Sequence, residues 1–470
     1  MLRGFVGLIF FTVFALANSS LVLKLKKPEQ VLLSAAIISA PWSGGIWVAA
    51  IRFDFRLTYI FLLGAFLMGM KGSKRYANKI PQLIVIPFVF LIVWTFISGL
   101  QAYNPAIAMG DGPVTMLWNL IYLLAITKLI KKQSDLDFAL KSAFIGLFYT
   151  CVLALLQYKI RMFEIGFIDS GIRSFMWWRP RATFMHPNAY GMYQLIIIPI
   201  LFRQVIIMFR VKNTKMGSIY LVLLGLSTFT LLLTQNRGSW LGLAAAMVFT
   251  IGLDFFRRGS KKMRKVVVRV ILIFLVLSSV PLTKYGPRMY DRLFTGKNAV
   301  DRKALSRSSY NTDAWIQLRK NPVWGVGVSN VRFYSSIIFT HNLYLLMASE
   351  TGYPGFIMFV LYMFGFLITA NKTMKSKNPY VSSMGAGFFT TMLALLIASY
   401  PGPDYAITPL VSSQLWIIGG MIISLLGIEK RMIRQQKIMR MKKRQELTPV
   451  QEAVPFSGMP PLNPGIASIN

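Results

Sequence analysis

The stretch Leu83-Ile-Val-Ile-Pro-Phe-Val-Phe-Leu-Ile-Val-Trp-Thr-Phe-Ile-Ser-Gly-Leu100 decides the fold class of this chain. It contains no charged residue. Its length approaches the roughly 20 apolar residues that an α-helix needs to cross a bilayer. A segment so long and so apolar predicts a transmembrane helix.

Runs of the same kind recur along the whole chain. They predict an all-α polytopic membrane protein with about 12–13 transmembrane helices. Pro41 and the Gly44-Gly45 pair interrupt the second run. The runs lie at roughly 5–23, 31–51, 57–70, 83–100, 114–130, 143–158, 189–209, 218–234, 239–255, 266–283, 355–370, 382–400 and 411–427.

The composition excludes a soluble domain. Of the 470 residues, 55% are hydrophobic and 14% are charged, and the mean hydropathy is +0.54. The formal net charge is +36, but the basic residues lie between apolar runs and form no basic domain, which argues against a nucleic-acid binder. Cys151 is the single cysteine and lies in an apolar run, so neither a disulfide nor a cysteine metal cluster is expected.

Lysines and arginines mark alternate loops, and this alternation predicts the orientation in the membrane. Arg203, the run 257–265 and the tail 430–444 belong to the side predicted to be cytoplasmic, whereas the loop 284–340 belongs to the external side. This interpretation divides the chain into N-terminal transmembrane helices at 1–283, an external loop region with helices at 284–354, C-terminal transmembrane helices at 355–428 and a basic, cytoplasmic, disordered tail at 429–470.

The two long external loops are more basic than translocated loops usually are. Residues 159–188 carry five Lys or Arg against two acidic residues, and residues 284–340 carry ten against three. This surplus favours an anion-binding face. The alternative is that the charges only keep the loops soluble.

Two arginine motifs lie where external loops meet predicted helices. In the first, His186-Pro187-Asn188 reads as a turn that opens a helix, with Asn188 as the cap. Arg181 and His186 are candidates for a site that faces lipid headgroups, although helix-start chemistry alone also explains the histidine. In the second, Arg237 occupies a very short turn at the membrane boundary, where an anion or simple snorkelling would offset its desolvation.

A third motif combines a glycine-rich bend with a histidine. Residues 321–330 read Asn-Pro-Val-Trp-Gly-Val-Gly-Val-Ser-Asn, and glycines there permit close backbone approach. His341 then begins a helix expected to end at Gly352. An imidazole at this place is the best candidate for a general base, and a helix cap is the alternative. Asp404 lies on the same predicted external side, as an orienting group or as a turn residue.

The sequence has no histidine cluster and no P-loop, so neither a metal nor a nucleotide cofactor is expected.

Four motifs between about 175 and 360 resemble those of the O-antigen ligase and polymerase superfamily of bacterial envelopes, in order, spacing and membrane side. They are Arg181-Ala-Thr-Phe-Met-His-Pro-Asn188, Leu232-Leu-Thr-Gln-Asn-Arg-Gly-Ser-Trp240, Asn321-Pro-Val-Trp-Gly-Val-Gly327 and the segment from His341 to Gly355. One departure is Asn236, where a serine is expected.

The resemblance implies a metal-independent membrane glycosyltransferase, similar to the C-type (GT-C) lipid-linked enzymes, in the bacterial inner membrane with its site facing the periplasm. The implied donor is an oligosaccharide on undecaprenyl pyrophosphate, and the implied acceptor is a glycan hydroxyl. Further implied partners are the lipid bilayer and a chain-length regulator protein. By this resemblance Arg181 and Arg237 bind the pyrophosphate and His341 is the base. His186, Arg307 and Asp404 are further candidate site residues.

Three alternatives remain beside a polymerase of O-antigen or exopolysaccharide repeat units. A ligase would transfer the glycan to lipid A core or to a protein. A transporter or flippase of an anionic lipid-linked substrate would need broken helices or charges near the middle of the membrane, and the sequence suggests few. A non-catalytic envelope scaffold would leave His341 without a task.

Overall fold

The computed structural model describes residues 12–25, 27–41, 45–48, 53–70, 78–160, 179–184, 186–257, 268, 311–334, 340, 342–400, 402 and 409–447. Three predicted site residues, Arg307, His341 and Asp404, lie outside the described residues. Nearly all of the predicted span at 266–283 lies outside them too. The regular secondary structure of the described part is helical apart from one small hairpin, so the all-α polytopic class is confirmed.

The helices are numbered here in chain order, and shorter helical turns are given by their bounds. Residues 311–320 are also helical. Two π-helical turns span Asn18–Val22 and Gly110–Val114, and a 3₁₀ turn spans Val331–Phe333. The α-helices are α1 (Pro28–Ser39), α2 (Leu57–Met70), α3 (Gln82–Leu100), α4 (Pro105–Met109), α5 (Thr115–Leu129), α6 (Gln133–Ile160), α7 (Pro187–Arg210), α8 (Thr214–Thr234), α9 (Arg237–Arg257), α10 (Leu343–Met374), α11 (Pro379–Ala398) and α12 (Pro409–Leu447).

Within the described ranges, eight helical segments are long and apolar enough to cross a membrane. They are α3, the continuous segment from α4 to α5, α6, α7, α8, α10, α11 and α12. The chain is therefore a multi-pass membrane protein. The total of 12–13 spans stays a prediction, because several predicted runs fall partly or wholly outside the described residues.

The second predicted run folds differently from the prediction. Helix α1 ends at Ser39, whereas the run was expected to continue as a helix to 51. Strand β1 (Gly45–Val48) instead pairs antiparallel with β2 (Phe53–Arg56). Proline and paired glycines are poor helix formers, so the interruption after Ser39 ends the helix.

Helix α7 is the most deeply enclosed helix, and every residue from Ala189 to Ile207 is buried. A helix that is apolar on all faces packs against neighbours on all sides. Gln194 Nε2 donates to Thr230 Oγ1 of α8 at 2.6 Å, and Thr391 Oγ1 of α11 donates to the carbonyl oxygen of Ile196 at 3.0 Å. Such bonds between helices help to fix their packing within a membrane.

The assignment of Arg203 to a cytoplasmic loop is wrong. It lies inside α7, is only 2% exposed, and packs against Gly387 of α11, where a Cβ would stand 3.0 Å from Arg203 Cγ. The apolar residues that follow Arg203 continue the helix to Arg210. Hydropathy therefore overrides the single charge at this position.

The chain divides into two units, Met1–Glu429 and Lys430–Asn470. In the second unit the described residues are helical as far as Leu447 and mostly exposed. The predicted disorder of the tail from 429 is therefore wrong up to Leu447. Lys and Arg are good helix formers, which explains the helix in this basic segment.

Candidate functional site

Residues 179–188 and 234–240 come together in a group that we call the arginine corner. Arg179 Nε donates to the carbonyl oxygen of Thr234 at 2.6 Å, and its Nη2 donates to Asn188 Oδ1 at 2.7 Å. One guanidinium thus joins the segment before α7, the first turn of α7 and the end of α8. The first two sequence motifs are neighbours in space.

Asn236 joins the same two motifs from the other side. Its Nδ2 donates to the carbonyl oxygen of Asn188 at 3.0 Å, while its Oδ1 accepts from the backbone N–H of Ser239 at 3.3 Å and so caps α9. Gln235, with φ +53°, makes the left-handed turn between α8 and α9. The N-termini of α7 and α9 therefore lie side by side.

His186 is the cap of α7. Its Nδ1 accepts a hydrogen bond from the backbone N–H of Asn188 at 3.1 Å. The predicted capping role of Asn188 is wrong, because the extended backbone of His186 presents its ring to the first turn and Asn188 instead accepts from Arg179. Nδ1 of His186 therefore serves the start of the helix, as one of the two interpretations of this residue expected.

Gln157 of α6 holds the backbone at Arg181. Gln157 Oε1 accepts from the N–H groups of Arg181 and Ala182 at 3.2 and 2.9 Å, and its Nε2 donates to the carbonyl oxygen of Ala182 at 2.7 Å. The hydroxyl of Thr183 also donates to the carbonyl oxygen of Pro41. The half-buried side chain of Arg181 therefore starts from a fixed backbone. In the sequence Gln157 was only a polar residue at the end of an apolar run.

Arg237 is exposed and is the first residue of α9. Unpaired N–H groups and the helix dipole make a helix N-terminus attractive to anions. Two such N-termini meet in the arginine corner, those of α7 and α9, and Arg181 and Arg237 add two further positive charges. The arrangement is suited to a ligand with more than one negative charge, such as a pyrophosphate.

The C-terminal end of α11 contacts both α9 and the start of α10. A Cβ on Gly242 of α9 would stand 2.6 Å from the carbonyl oxygen of Ala394, so the two helix backbones approach closely there. The N–H of Leu343 donates to the carbonyl oxygen of Ser399 at 3.0 Å. Arg237 precedes Gly242 by about 7 Å of helix.

The residues on either side of His341 are described. Thr340 is buried, and Asn342 caps α10 by accepting from the N–H groups of Tyr344 and Leu345 at 3.0 and 3.2 Å. Thr340 and Asn342 flank the start of α10, which contacts the last turn of α11 through the bond from Leu343 to Ser399.

A second polar region lies where α10 is broken. Gly352 has φ +67° and ψ −178°, and Pro354 has no N–H to continue the helix. Residues 321–330, which we call the glycine strap, run along this break. The strap N–H groups of Val326 and Gly327 donate to the carbonyl oxygens of Ser349 and Glu350 at 3.0 and 2.9 Å.

The strap needs its glycines because backbone meets backbone. A Cβ on Gly325 would stand 2.4 Å from the Glu350 carbonyl group, and one on Gly352 would stand 2.0 Å from the carbonyl oxygen of Val323. Trp94 of α3 stacks on Trp324 at 4.6 Å between ring centroids and donates its indole N–H to the carbonyl oxygen of Thr351 at 2.7 Å. The close approach predicted for these glycines is present.

A known family model matches the part of the chain that contains Arg237 and the glycine strap. Residues 221–360 match the O-Antigen ligase family model. The resemblance to the O-antigen ligase and polymerase superfamily is thereby confirmed. The match takes in Arg237, the glycine strap and the break in α10, whereas Arg181 and His186 precede it. No curated protein matches the chain. The match supports a glycosyl-transferring membrane enzyme of polysaccharide biosynthesis.

Proposed function

We propose that the protein transfers a glycan from undecaprenyl pyrophosphate to a sugar hydroxyl and thereby polymerises repeat units of O-antigen or exopolysaccharide. The observation that carries this proposal is the arginine corner, where two helix N-termini meet beside Arg181 and Arg237. A pyrophosphate that leaves from the anomeric carbon gains negative charge, and fixed positive groups stabilise that charge in the transition state. The family match at 221–360 agrees with this donor class.

His341 is the proposed general base. It removes the proton of the acceptor hydroxyl as the acceptor oxygen bonds to the anomeric carbon. In the same step the bond from that carbon to the pyrophosphate oxygen breaks, and the electron pair leaves with undecaprenyl pyrophosphate. A single displacement of this kind inverts the anomeric carbon and requires no metal. Support comes from the buried Thr340 and the capping Asn342 on either side of His341.

The remaining predicted groups are secondary proposals. Arg307 and Asp404 are proposed to bind the glycan or its phosphate from the external loops, and His186 is proposed to face the same site with the ring nitrogen that does not cap α7. The site faces the periplasm from the inner membrane, with residues 284–354 as the external region. A chain-length regulator is a proposed protein partner.

Two other functions use the same site or the same fold. A ligase differs only in its acceptor, lipid A core or a protein, and the matched family is described as a ligase. A transporter requires a broken helix near the middle of the bilayer. The break at Gly352 lies nine residues from the start of the 32-residue α10. Nine residues of helix rise about 14 Å, roughly half of a hydrocarbon core about 30 Å thick, so the break alone does not separate the two functions. The family match at 221–360 favours the transferase.

The decisive experiment uses purified protein, lipid-linked donor and lipid-linked acceptor. Replacing Arg237 by alanine should abolish glycan transfer, and Arg237→Lys should also be impaired because it loses the planar fork. His341→Asn should slow transfer about a hundred-fold or more while donor binding survives. Arg434→Ala, which changes an exposed arginine in the second unit, is the matched control. Full transfer by Arg237→Ala or His341→Asn would refute the proposed roles.

Orientation has its own test. Single cysteines introduced at 260 and 300 should be labelled by a membrane-impermeant thiol reagent from opposite sides, because the loops there have opposite predicted locations. Cys151 stays in place because it is fully buried. Labelling of both positions from one side would reject the periplasmic location of the site.

The transporter alternative is tested separately. A donor lipid moved across the bilayer without a new glycosidic bond would indicate the transporter.

A further inference from the structure

Helix α10 carries a stripe of exposed apolar side chains along one face. The stripe consists of Tyr353, Ile357, Phe364 and Ile368, at helical spacing, and the exposed Lys372 follows it. Lys372 lies 19 residues after Tyr353, which is about 28 Å of helix and close to the roughly 30 Å of a hydrocarbon core. This stripe is therefore suited to face lipid tails over the whole thickness of the core.

The stripe begins only after the break at Gly352. From 343 to 352 every residue is buried except Tyr344, which is half-buried. The apolar side chains of this first part of α10 pack in two clusters with residues from 311–334, namely Ala314, Leu318, Val326 and Val331. The first part of α10 is thus covered by protein, whereas the part after the break has a face open to lipid.

Helix α3 has a matching stripe that runs from Leu83 to Leu100. Its other exposed members are Ile86, Val89, Phe90, Val93 and Phe96. Near the end of α3, Ser98 Oγ donates to the carbonyl oxygens of Trp324 and Glu350 at 2.6 and 3.2 Å. These bonds place the end of α3 beside the break in α10, so the two stripes end close together.

Exposed aromatic rings gather where both stripes end. Tyr103 is 71% exposed and lies three residues beyond α3, and its ring centroid lies 5.2 Å from that of Phe333 and 6.2 Å from that of Tyr334. Trp324 and Tyr353 are exposed on either side of the break. We call these five rings the ring surface.

The ring surface is held by buried hydrogen bonds. Asn330 is fully buried, its Oδ1 accepts from the N–H of Asn104 at 2.8 Å, and its Nδ2 donates to the carbonyl oxygen of Asn104 at 3.3 Å. The bonds join the segment of Tyr103 to the 3₁₀ turn that contains Phe333. Arg332 also lies over the Phe333 ring, 5.4 Å from its centroid. Rings fixed in this way lose little conformational freedom on binding a partner.

We propose that the ring surface binds the headgroup layer of the lipid leaflet at which α10 begins, and that the break at Gly352 marks the edge of the hydrocarbon core. The surface is continuous with the exposed stripes of α3 and α10, two helices long and apolar enough to span a membrane. Tyrosine and tryptophan favour this layer, because their rings are apolar while their O–H and N–H groups stay hydrated.

The glycine strap then rests on the membrane surface, and residues 343–352 lie outside the hydrocarbon core. A soluble glycan could also stack on exposed rings, but it would need a surface that faces water. Continuity with two lipid-facing stripes favours the headgroup layer instead. This inference does not depend on the proposed reaction, because it uses only the surfaces that face lipid.

The test measures depth with spin labels on introduced cysteines, in vesicles of phosphatidylethanolamine and phosphatidylglycerol. Power saturation compares access to oxygen with access to a water-soluble nickel chelate, calibrated with lipids labelled at known depths. Labels on Tyr103→Cys and Tyr353→Cys should lie at the depth of the lipid phosphates. Phe364→Cys, about 16 Å of helix beyond Tyr353, should be reached mainly by oxygen, and Arg434→Cys is the aqueous reference. Cys151 is fully buried and stays in place.

Two results of this measurement would overturn the proposal. A label at 353 as deep as the one at 364 would place the break within the bilayer. A label at 103 as open to the nickel chelate as Arg434→Cys would show that the ring surface faces water.

A second set of variants leaves the label away from the rings. With the label on Leu100→Cys, Tyr103→Asp should raise access to the nickel chelate about threefold, because a carboxylate draws the segment towards water. Tyr103→Phe is the matched control, since it keeps the ring and should leave access unchanged. An unchanged Tyr103→Asp variant would mean that the ring does not hold this segment in the headgroup layer. Glycan transfer by any of these variants does not enter the decision, so the proposed reaction and the ring surface can fail separately.

Discussion

The arginine corner and the glycine strap are both held by hydrogen bonds, but the bonded residues lie much farther apart in the sequence in the strap than in the corner. In the corner, Arg179 reaches residues 9 and 55 positions away, and the contacts involve side chains that cap or join helix starts. The strap is anchored by Ser98, whose hydroxyl donates to the carbonyl oxygen of Trp324, 226 positions away, and by Trp94, whose ring stacks on that of Trp324. The N–H groups of Val326 and Gly327 add backbone bonds to α10.

This difference predicts different tolerance to substitution. A side-chain hydrogen bond in the corner can be lost while the backbone stays in place. The free energy of unfolding then falls only by the contribution of that bond and of any partner left unpaired. In the strap a single added carbon atom clashes with backbone atoms, and backbone cannot relieve the clash by a change of rotamer as a side chain can. Single substitutions in the strap should therefore cause a large loss of stability, whereas single substitutions in the corner should cause smaller losses that add up gradually.

The largest effect is expected for Gly352→Ala. The new Cβ would stand 2.0 Å from the carbonyl oxygen of Val323, at a backbone conformation that is essentially restricted to glycine. We expect a loss of about 3 kcal/mol or more in the free energy of unfolding. Thermal unfolding in detergent and glycan transfer in vesicles measure the effect.

Gly252→Ala is the matched control for this prediction. Gly252 lies in α9, and a Cβ there would meet nothing within 4 Å. Alanine is also the better helix former, so this variant should be as stable as the parent or slightly more stable. Equal stability of the two alanine variants would show that the strap can move away from α10 and that the contrast between the regions is false.

The comparison also explains what the sequence could predict. Gly325 and Gly327 indicated close backbone approach, Gly352 indicated the end of a helix, and the short turn at Arg237 indicated a helix start. All three are local properties of residue types. The partners are not local. Nothing in the sequence connects Gln157 with Arg181, since a glutamine has no preferred partner until the tertiary fold supplies one.

Buried charge was the least predictable feature. Hydropathy correctly placed a helix over Arg203, but the alternation of basic residues grouped it with the cytoplasmic loops, because neither pattern shows which helix faces are enclosed. Glu350 was part of a recognised motif, yet the hydrogen bond from the N–H of Gly327 to its carbonyl oxygen depends on the break in α10. Such contacts become visible only once the packing is known.

An intermediate effect is expected for Arg179→Gln. The change removes the guanidinium that bonds to Thr234 and Asn188 at 2.6 and 2.7 Å, and hydrogen bonds to charged groups contribute more than neutral ones. We expect a loss of about 2 kcal/mol in the free energy of unfolding and weaker donor binding. Isothermal binding of a short-chain polyprenyl pyrophosphate sugar and thermal unfolding check the two parts.

Arg434→Gln serves as the control for charge, because Arg434 is exposed on α12. It lowers the net charge by the same amount without touching the corner. If both variants bound the donor equally, Arg179 would act only through the overall positive charge of the protein. Donor binding would then not depend on the specific arrangement of the arginine corner.

The smallest effect is expected for Asn236→Ser. Serine is a good N-cap and can replace the bond from Ser239, but its hydroxyl is too short to take over the bond from Nδ2 to the carbonyl oxygen of Asn188 as well. The loss should be about 0.5–1 kcal/mol in the free energy of unfolding, with little change in transfer. Asn236→Ala removes both bonds and should lose about 1 kcal/mol more, which thermal unfolding of the two variants in one detergent resolves. A serine variant as unstable as the alanine variant would mean that the bond to Asn188, and not the cap, holds the start of α9. The corner would then depend on a single contact between helices, as the strap depends on its glycines, and the gradual failure proposed for it would not hold.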